Sequence, residues 1–181
     1  MRIHEMTVVN IASLKGRHHI DFDRVAKSSN LFAITGPTGS GKSTLLNCVS
    51  LALYGEVYKK GSSSTDFVTM GENFGEIQLK FSHSHHTYLS HWKLKVKKKN
   101  GEYYKKPQLT RTLFQIKDDQ DDEALEKSPE DIIGLNFNQF CKTSILNQGE
   151  FAKFLKSSFV DRKDILEKFY EGENLSSLNN I

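Results

Sequence analysis

The apolar residues of this 181-residue chain follow two rhythms, one of period two and one of helical spacing. Residues 2–10 and 17–22 alternate and predict two paired strands joined at Lys15-Gly16. Residues 31–35 are a short apolar run, which reads as a buried strand. Leu45, Leu46, Val49, Leu53 and Tyr54 then recur at helical spacing and predict a helix over 44–53, with Gly55 as its stop. Residues 57–71 are polar, include Gly61-Ser62-Ser63-Ser64-Thr65, and read as a loop. Alternation returns at Ile77, Leu79 and Phe81. Next, Tyr88, Trp92, Leu94 and Val96 share one parity while His91, Lys93, Lys95 and Lys97 share the other, the pattern of a half-buried strand with a cationic outer face. Asn100-Gly101 signals a type I′ hairpin turn, and 110–116 reads as a further strand. Ser128-Pro129-Glu130-Asp131 has the chemistry of a helix start. Phe137, Phe140 and Cys141 suggest a short packed helix. Phe151, Phe154 and Leu155, then Ile165, Leu166, Phe169 and Tyr170, continue a helical pattern.

Composition narrows the class. A 37% hydrophobic and 26% charged chain of this length can bury the core of one ordinary water-soluble domain. No apolar stretch approaches the ~20 residues of a membrane span. The chain opens directly on an alternating strand, so no secretory leader is expected and a cytoplasmic location is. Cys48 and Cys141 form no C-x-x-C pair and read as buried free thiols. Charge is uneven. Residues 93–111 hold eight Lys and Arg against one acid, Glu102, so the rest of a chain of net charge +3 is net negative.

The candidate chemistry lies where the two rhythms meet. Gly36-Pro37-Thr38-Gly39-Ser40-Gly41-Lys42-Ser43 fits G-x-x-x-x-G-K-[ST] between an apolar run and a helix, the setting of a P-loop that wraps nucleotide phosphates. Triphosphate oxygens need donors at close range, and glycines let backbone N–H groups close in. The helix beginning near Lys42 adds its unpaired N–H groups and positive dipole end. Lys42 is expected on the β- and γ-phosphates, Ser43 on Mg²⁺, and Thr44 on the α-phosphate.

Four ordered segments carry a resemblance. Residues 1–22, with Asn10-Ile11-Ala12-Ser13-Leu14-Lys15-Gly16 inside them, resemble the first strands of SbcC-type ATPases. Residues 32–55, ending Leu53-Tyr54-Gly55, are similar to their P-loop and first helix. Residues 134–140 and 144–155, around Asn147-Gln148-Gly149, resemble their glutamine loop. Residues 161–167 resemble the entry to their long coiled coil. The resemblance implies an α/β P-loop lobe of the ABC/SMC-like kind with an attached antiparallel β segment, spanning 1–155, and a coiled-coil start over 156–181. It implies ATP and Mg²⁺, with Gln148 ligating the metal or orienting the attacking water. It also implies several partners: a C-terminal lobe of the same protein, an SbcD-like nuclease, an ATP-dependent head dimer, and double-stranded DNA ends and hairpins bound without sequence preference.

Such a head divides its active site. No Leu-Ser-Gly-Gly signature, Asp-Glu-terminated apolar strand or later switch histidine stands in these residues, so the chain is expected to be truncated and to hydrolyse negligibly by itself. The alternatives are a piece of another SMC-like or ABC ATPase, transporters included, or a non-hydrolysing DNA- or partner-binding module. Lys93, Lys95, Lys97, Lys98, Lys99, Lys105, Lys106 and Arg111 are candidates for DNA phosphates, or simply a solvated face. His83, His85, His86 and His91 read as an exposed turn rather than a metal site, Tyr88 and Trp92 as packing rather than a stacking platform, and Asn10 and Ser13 as either strand-end or nucleotide-proximal residues.

Overall fold

The structure is a computed structural model that describes residues 1–26, 34–57, 64–98, 100–117 and 122–144. It divides into two units, Met1–Gly134 and Leu135–Ile181. In the first, β1 (Arg2–Ile11), β2 (Leu14–Asp21), β3 (Phe74–His83), β4 (His86–Lys97), β5 (Tyr103–Ile116) and β6 (Glu123–Leu125) form one antiparallel sheet in the order β2-β1-β3-β4-β5-β6. The period-two pattern decides its inner face. Met6, Val8, Ile77, Leu79, Phe81, Tyr88, Trp92, Leu94 and Leu113 are buried, and the alternate residues of β3 and β4 face outward. A short α1 (Phe22–Ala26) follows β2, and α2 (Lys42–Tyr54) packs on β1, β3 and β4. The buried Ser90 hydroxyl donates to the Ala52 carbonyl at 2.7 Å, fixing the helix on the sheet with a satisfied polar contact.

Turn chemistry departs from expectation at three places. The β1–β2 connection is Ala12-Ser13, with Gly16 inside β2, because the Asn10 side chain accepts from Gly16 N at 2.8 Å and pulls the turn toward the strand. At Asn100-Gly101 only Gly101 has a positive φ (87°), whereas a type I′ turn needs two. The loop instead closes from Lys98 to Glu102, with Asn100 Oδ1 accepting from Glu102 N. The paired positive φ values occur at Ser84 (47°) and His85 (69°), between His83 and His86, where no glycine signals them.

The apolar stripe of α2 also shifts. Residues 50–54 are buried nearly all round, while Leu46 is 46% exposed. Gly55 ends the helix as expected, at φ 72° with its N–H on the Leu51 carbonyl. Ile34 and Thr35 lie in no strand and Ile34 is 40% exposed, which contradicts the buried-strand reading there; residues 31–33 lie outside the described residues. Within 57–71, a 3-10 turn (Ser64–Phe67) and a bridge from Val68 to Ile11 replace plain loop at 64–68, and residues 58–63 lie outside the described residues.

The helix start at Ser128 is a capping box leading into α3 (Pro129–Ile133): Ser128 N donates to Asp131 Oδ2 at 2.8 Å and Asp131 N donates back to Ser128 Oγ. In the second unit, α4 (Phe137–Ser144) has Phe140 and Cys141 buried. Its entry repeats the reciprocal device with other residues, Asn136 N on Gln139 Oε1 and Gln139 N on Asn136 Oδ1, both at 2.9 Å.

Candidate nucleotide-binding site

Residues 34–40 are exposed throughout, and the chain becomes buried at Gly41, the residue that caps α2. Gly41 sits at φ 90°, where a side chain is strained. A Cβ there would also lie 3.1 Å from Leu14 Cδ2 and 3.4 Å from Ser13 Oγ. The last loop glycine is therefore wedged against the β1–β2 turn, and its lack of a side chain is a packing requirement as well as a conformational one. No side chain caps the helix and no acid stands in its first turn, so the positive end of α2 is not neutralised from within. The loop closes through Ser40 N on the Pro37 carbonyl at 3.2 Å, and Gly41 O accepts the first helical bond from Leu45 N at 3.0 Å.

Lys42 Nζ bends back and donates to the carbonyls of Gly36 and Pro37, both at 2.8 Å. Its ammonium thus stands inside the loop on two neutral acceptors, which anionic oxygens can replace with stronger, charge-assisted bonds. Ser43 is exposed and Thr44 half-buried on the first turn of α2, beside the same opening. This arrangement fits a phosphate chain with a divalent cation: backbone donors, one fixed cation, one accessible hydroxyl and no competing carboxylate in that turn.

Asn10 and Ser13 separate in role. Asn10 is 8% exposed and braces the hairpin through Gly16 N, whereas Ser13 and Leu14 meet the loop. Asn10 (φ 53°) and Ala12 (φ 49°) both hold left-handed backbone, a cost of about 1–3 kcal/mol for each non-glycine residue that neighbouring contacts must offset. Gln148 and Lys99 lie outside the described residues.

The described basic residues differ in their contacts. Lys93 Nζ is held by Glu76 at 2.7 Å over the Phe74 ring, Lys97 lies over Tyr103, and Lys98 pairs with Glu102. Glu76 also pairs with His91 at 2.8 Å. Burial alone would raise the Glu76 pKa, but the Lys93 and His91 hydrogen bonds outweigh it and hold the carboxyl below the usual range. Lys95, Lys105 and Lys106 are exposed and have no ion-pair partner among the described residues. Arg111 is exposed and makes a contact that the lysines do not. It stands opposite Trp92 on the inner face and donates to the Leu53 carbonyl at 2.8 Å, a cation at the C-terminal end of α2. Strand parity signalled this, since Arg111 shares its parity with Leu113.

No cluster of three metal-ligating side chains occurs among the described residues. Cys48 and Cys141 are free and buried, and burial pushes the Cys48 thiol up to about 12, so it stays protonated at neutral pH. No described helix is long and apolar enough to cross a membrane. Sequence reasoning missed the segment around Phe67 and Thr69 that holds the β1–β2 turn, because nothing in its composition marks it as more than loop.

Known proteins supply an independent comparison. The AAA domain family matches residues 5–178. The SbcC subunit of the nuclease SbcCD from Pseudomonas aeruginosa is 35% identical over 205 aligned residues, covering 99% of this chain and 17% of that protein. The protein of the same name from Bacillus subtilis is 30% identical over 173 residues, covering 93% and 15%. The chain thus spans about a sixth of the length of these relatives. A structure of the recombination mediator protein RecF with ATP superposes at a TM-score of 0.49 with 18% identity, covering 94% of this chain and 38% of that one. With its loop, helix and sheet accounted for, and with similarity to SbcC-type proteins along nearly all of its length, the chain belongs to the AAA domain family.

Proposed function

We propose that residues 36–44 bind the phosphates of ATP as its Mg²⁺ complex, and that the chain supplies the N-terminal half of an SbcC-like ATPase head. The observation that carries this is Lys42 Nζ, held at 2.8 Å from two carbonyls of a glycine loop that runs straight into the uncapped start of α2. In this reading Gly36, Gly39 and Gly41 bring backbone donors to the phosphates and Lys42 faces the β- and γ-phosphates. Ser43 holds Mg²⁺, joined by Gln148, and Thr44 donates to the α-phosphate. The metal neutralises phosphate charge when bound. The chain's own groups orient the phosphates without hydrolysing them, and the remaining catalytic groups come from a C-terminal lobe and a second head. The relatives' name, which marks them as part of the nuclease SbcCD, supports a nuclease partner. Action on DNA double-strand ends and hairpins is proposed with it.

The metal assignment has its own test. ATP affinity is measured with Mg²⁺ and with EDTA, in the wild type and in Ser43→Ala. The wild type is expected to bind more tightly with Mg²⁺, and Ser43→Ala to lose most of that gain while keeping its affinity in EDTA. An undiminished Mg²⁺ effect in Ser43→Ala would remove Ser43 from the metal.

DNA contact is proposed through the exposed lysines of the β4–β5 hairpin that have no ion-pair partner among the described residues. Replacing Lys95, Lys105 and Lys106 with glutamine is expected to weaken binding to any duplex alike. The dependence of log K on log salt should flatten by about 3 × 0.9. An unchanged salt slope would place DNA elsewhere on the molecule.

A further inference from the structure

We propose that Thr69 is a positioning residue for the phosphate loop, acting through the β1–β2 turn; this rests on the reading that the loop binds nucleotide. Thr69 lies 57 residues from Ala12 in sequence, yet it grips the turn twice. Its N–H donates to the Asn10 carbonyl at 3.0 Å and its Oγ1 donates to the Ala12 carbonyl at 2.9 Å. Ala12 N completes the clasp on the Phe67 carbonyl at 2.6 Å, and Phe67 is anchored at 9% exposure. The gripped residues, Asn10 and Ala12, are the two in this turn that hold left-handed backbone without being glycine. Such a conformation persists only where its surroundings fix it.

The other side of the turn is the surface against which Gly41 is wedged, through Leu14 Cδ2 and Ser13 Oγ. The chain of contact runs from Thr69 to Ala12, to Ser13-Leu14, to Gly41, the residue that caps α2 and presents the last loop glycine's amide. Residues 34–40 are exposed, so the contact at Gly41 is the buried end of the loop. A clasp that holds the turn therefore sets where the loop stands. Loosening it leaves Lys42 and the glycines in place but blurs their geometry, and binding through several short bonds at once is sensitive to such blurring.

Thr69→Val keeps shape and backbone and removes the hydroxyl bond. ATP Kd is expected to rise about 5–10-fold, with Thr69→Ser restoring it. Ser128→Ala, which loses a helix cap at α3, serves as the control: it lowers the unfolding midpoint without moving Kd. A second measurement needs no variant. Coupling is reciprocal, so saturating ATP must slow hydrogen exchange at the Ala12 and Thr69 amides of the wild type. Equal Kd values for wild type and Thr69→Val, or unchanged exchange at both amides under saturating ATP, overturn the proposal. Failure of the wild type to bind ATP at all would instead overturn the nucleotide reading on which it stands.

Discussion

Lys42→Ala is expected to weaken ATP binding by on the order of a hundredfold or more while leaving the fold intact. The free protein loses two hydrogen bonds, to the carbonyls of Gly36 and Pro37. Both acceptors lie on an exposed loop, where water replaces the ammonium, so the folded state loses little. The bound protein loses the only cation of the loop. Charge-assisted hydrogen bonds are worth roughly 1.5–3 kcal/mol each, and one or two of them account for the expected factor. The unfolding midpoint in urea and the ATP Kd, measured on the same preparation, separate the two effects. A variant with wild-type affinity would show that the ammonium does not face the phosphates. A variant that loses affinity only because it unfolds would show Lys42 to be structural.

The largest effect on stability is expected at Trp92. Its side chain is fully buried on the inner face of β4, between Ile77 of β3 and Arg111 of β5. Trp92→Ala removes the largest buried side chain of the sheet and is expected to cost about 3–5 kcal/mol. That is a large share of the ~5–15 kcal/mol that holds a domain folded. Trp92→Phe should cost less than its lost volume suggests, because the indole Nε1 is buried without a hydrogen-bond partner among the described residues and phenylalanine carries no such group. Denaturation followed by far-UV circular dichroism reads both variants without the tryptophan signal. If Trp92→Ala unfolds within about 1 kcal/mol of wild type, the inner face of β4 is not the core of this sheet.

Period-two patterns were legible where one face is buried. Tyr88, Trp92 and Leu94 face inward as their parity predicts, and His91, Lys93 and Lys95 outward, because a half-buried strand writes its exposure into every residue. The Ser128 box and Gly55 stop were legible for a related reason: their chemistry is local. What stayed hidden depends on distant residues. The left-handed backbone at Asn10 and Ala12 is held by Thr69 and Phe67, and Arg111 is set by a helix carbonyl 58 residues away. Leu46 fitted an apolar stripe, yet it is exposed among the described residues. The glycine loop that runs into α2 was readable from its residues. The turn that braces it was visible only as two candidate names, Asn10 and Ser13, one bracing the hairpin and the other touching Gly41.

The central claim is that this lobe recognises a nucleotide by its phosphates, and calorimetric titration with competition tests it most directly. ATP with Mg²⁺ should bind the wild-type chain at one saturable site, inorganic tripolyphosphate should displace it, and adenosine should not. A chain that takes up no ATP, or one from which adenosine displaces ATP as well as tripolyphosphate does, would contradict a site built from Gly36 to Thr44 around the ammonium of Lys42.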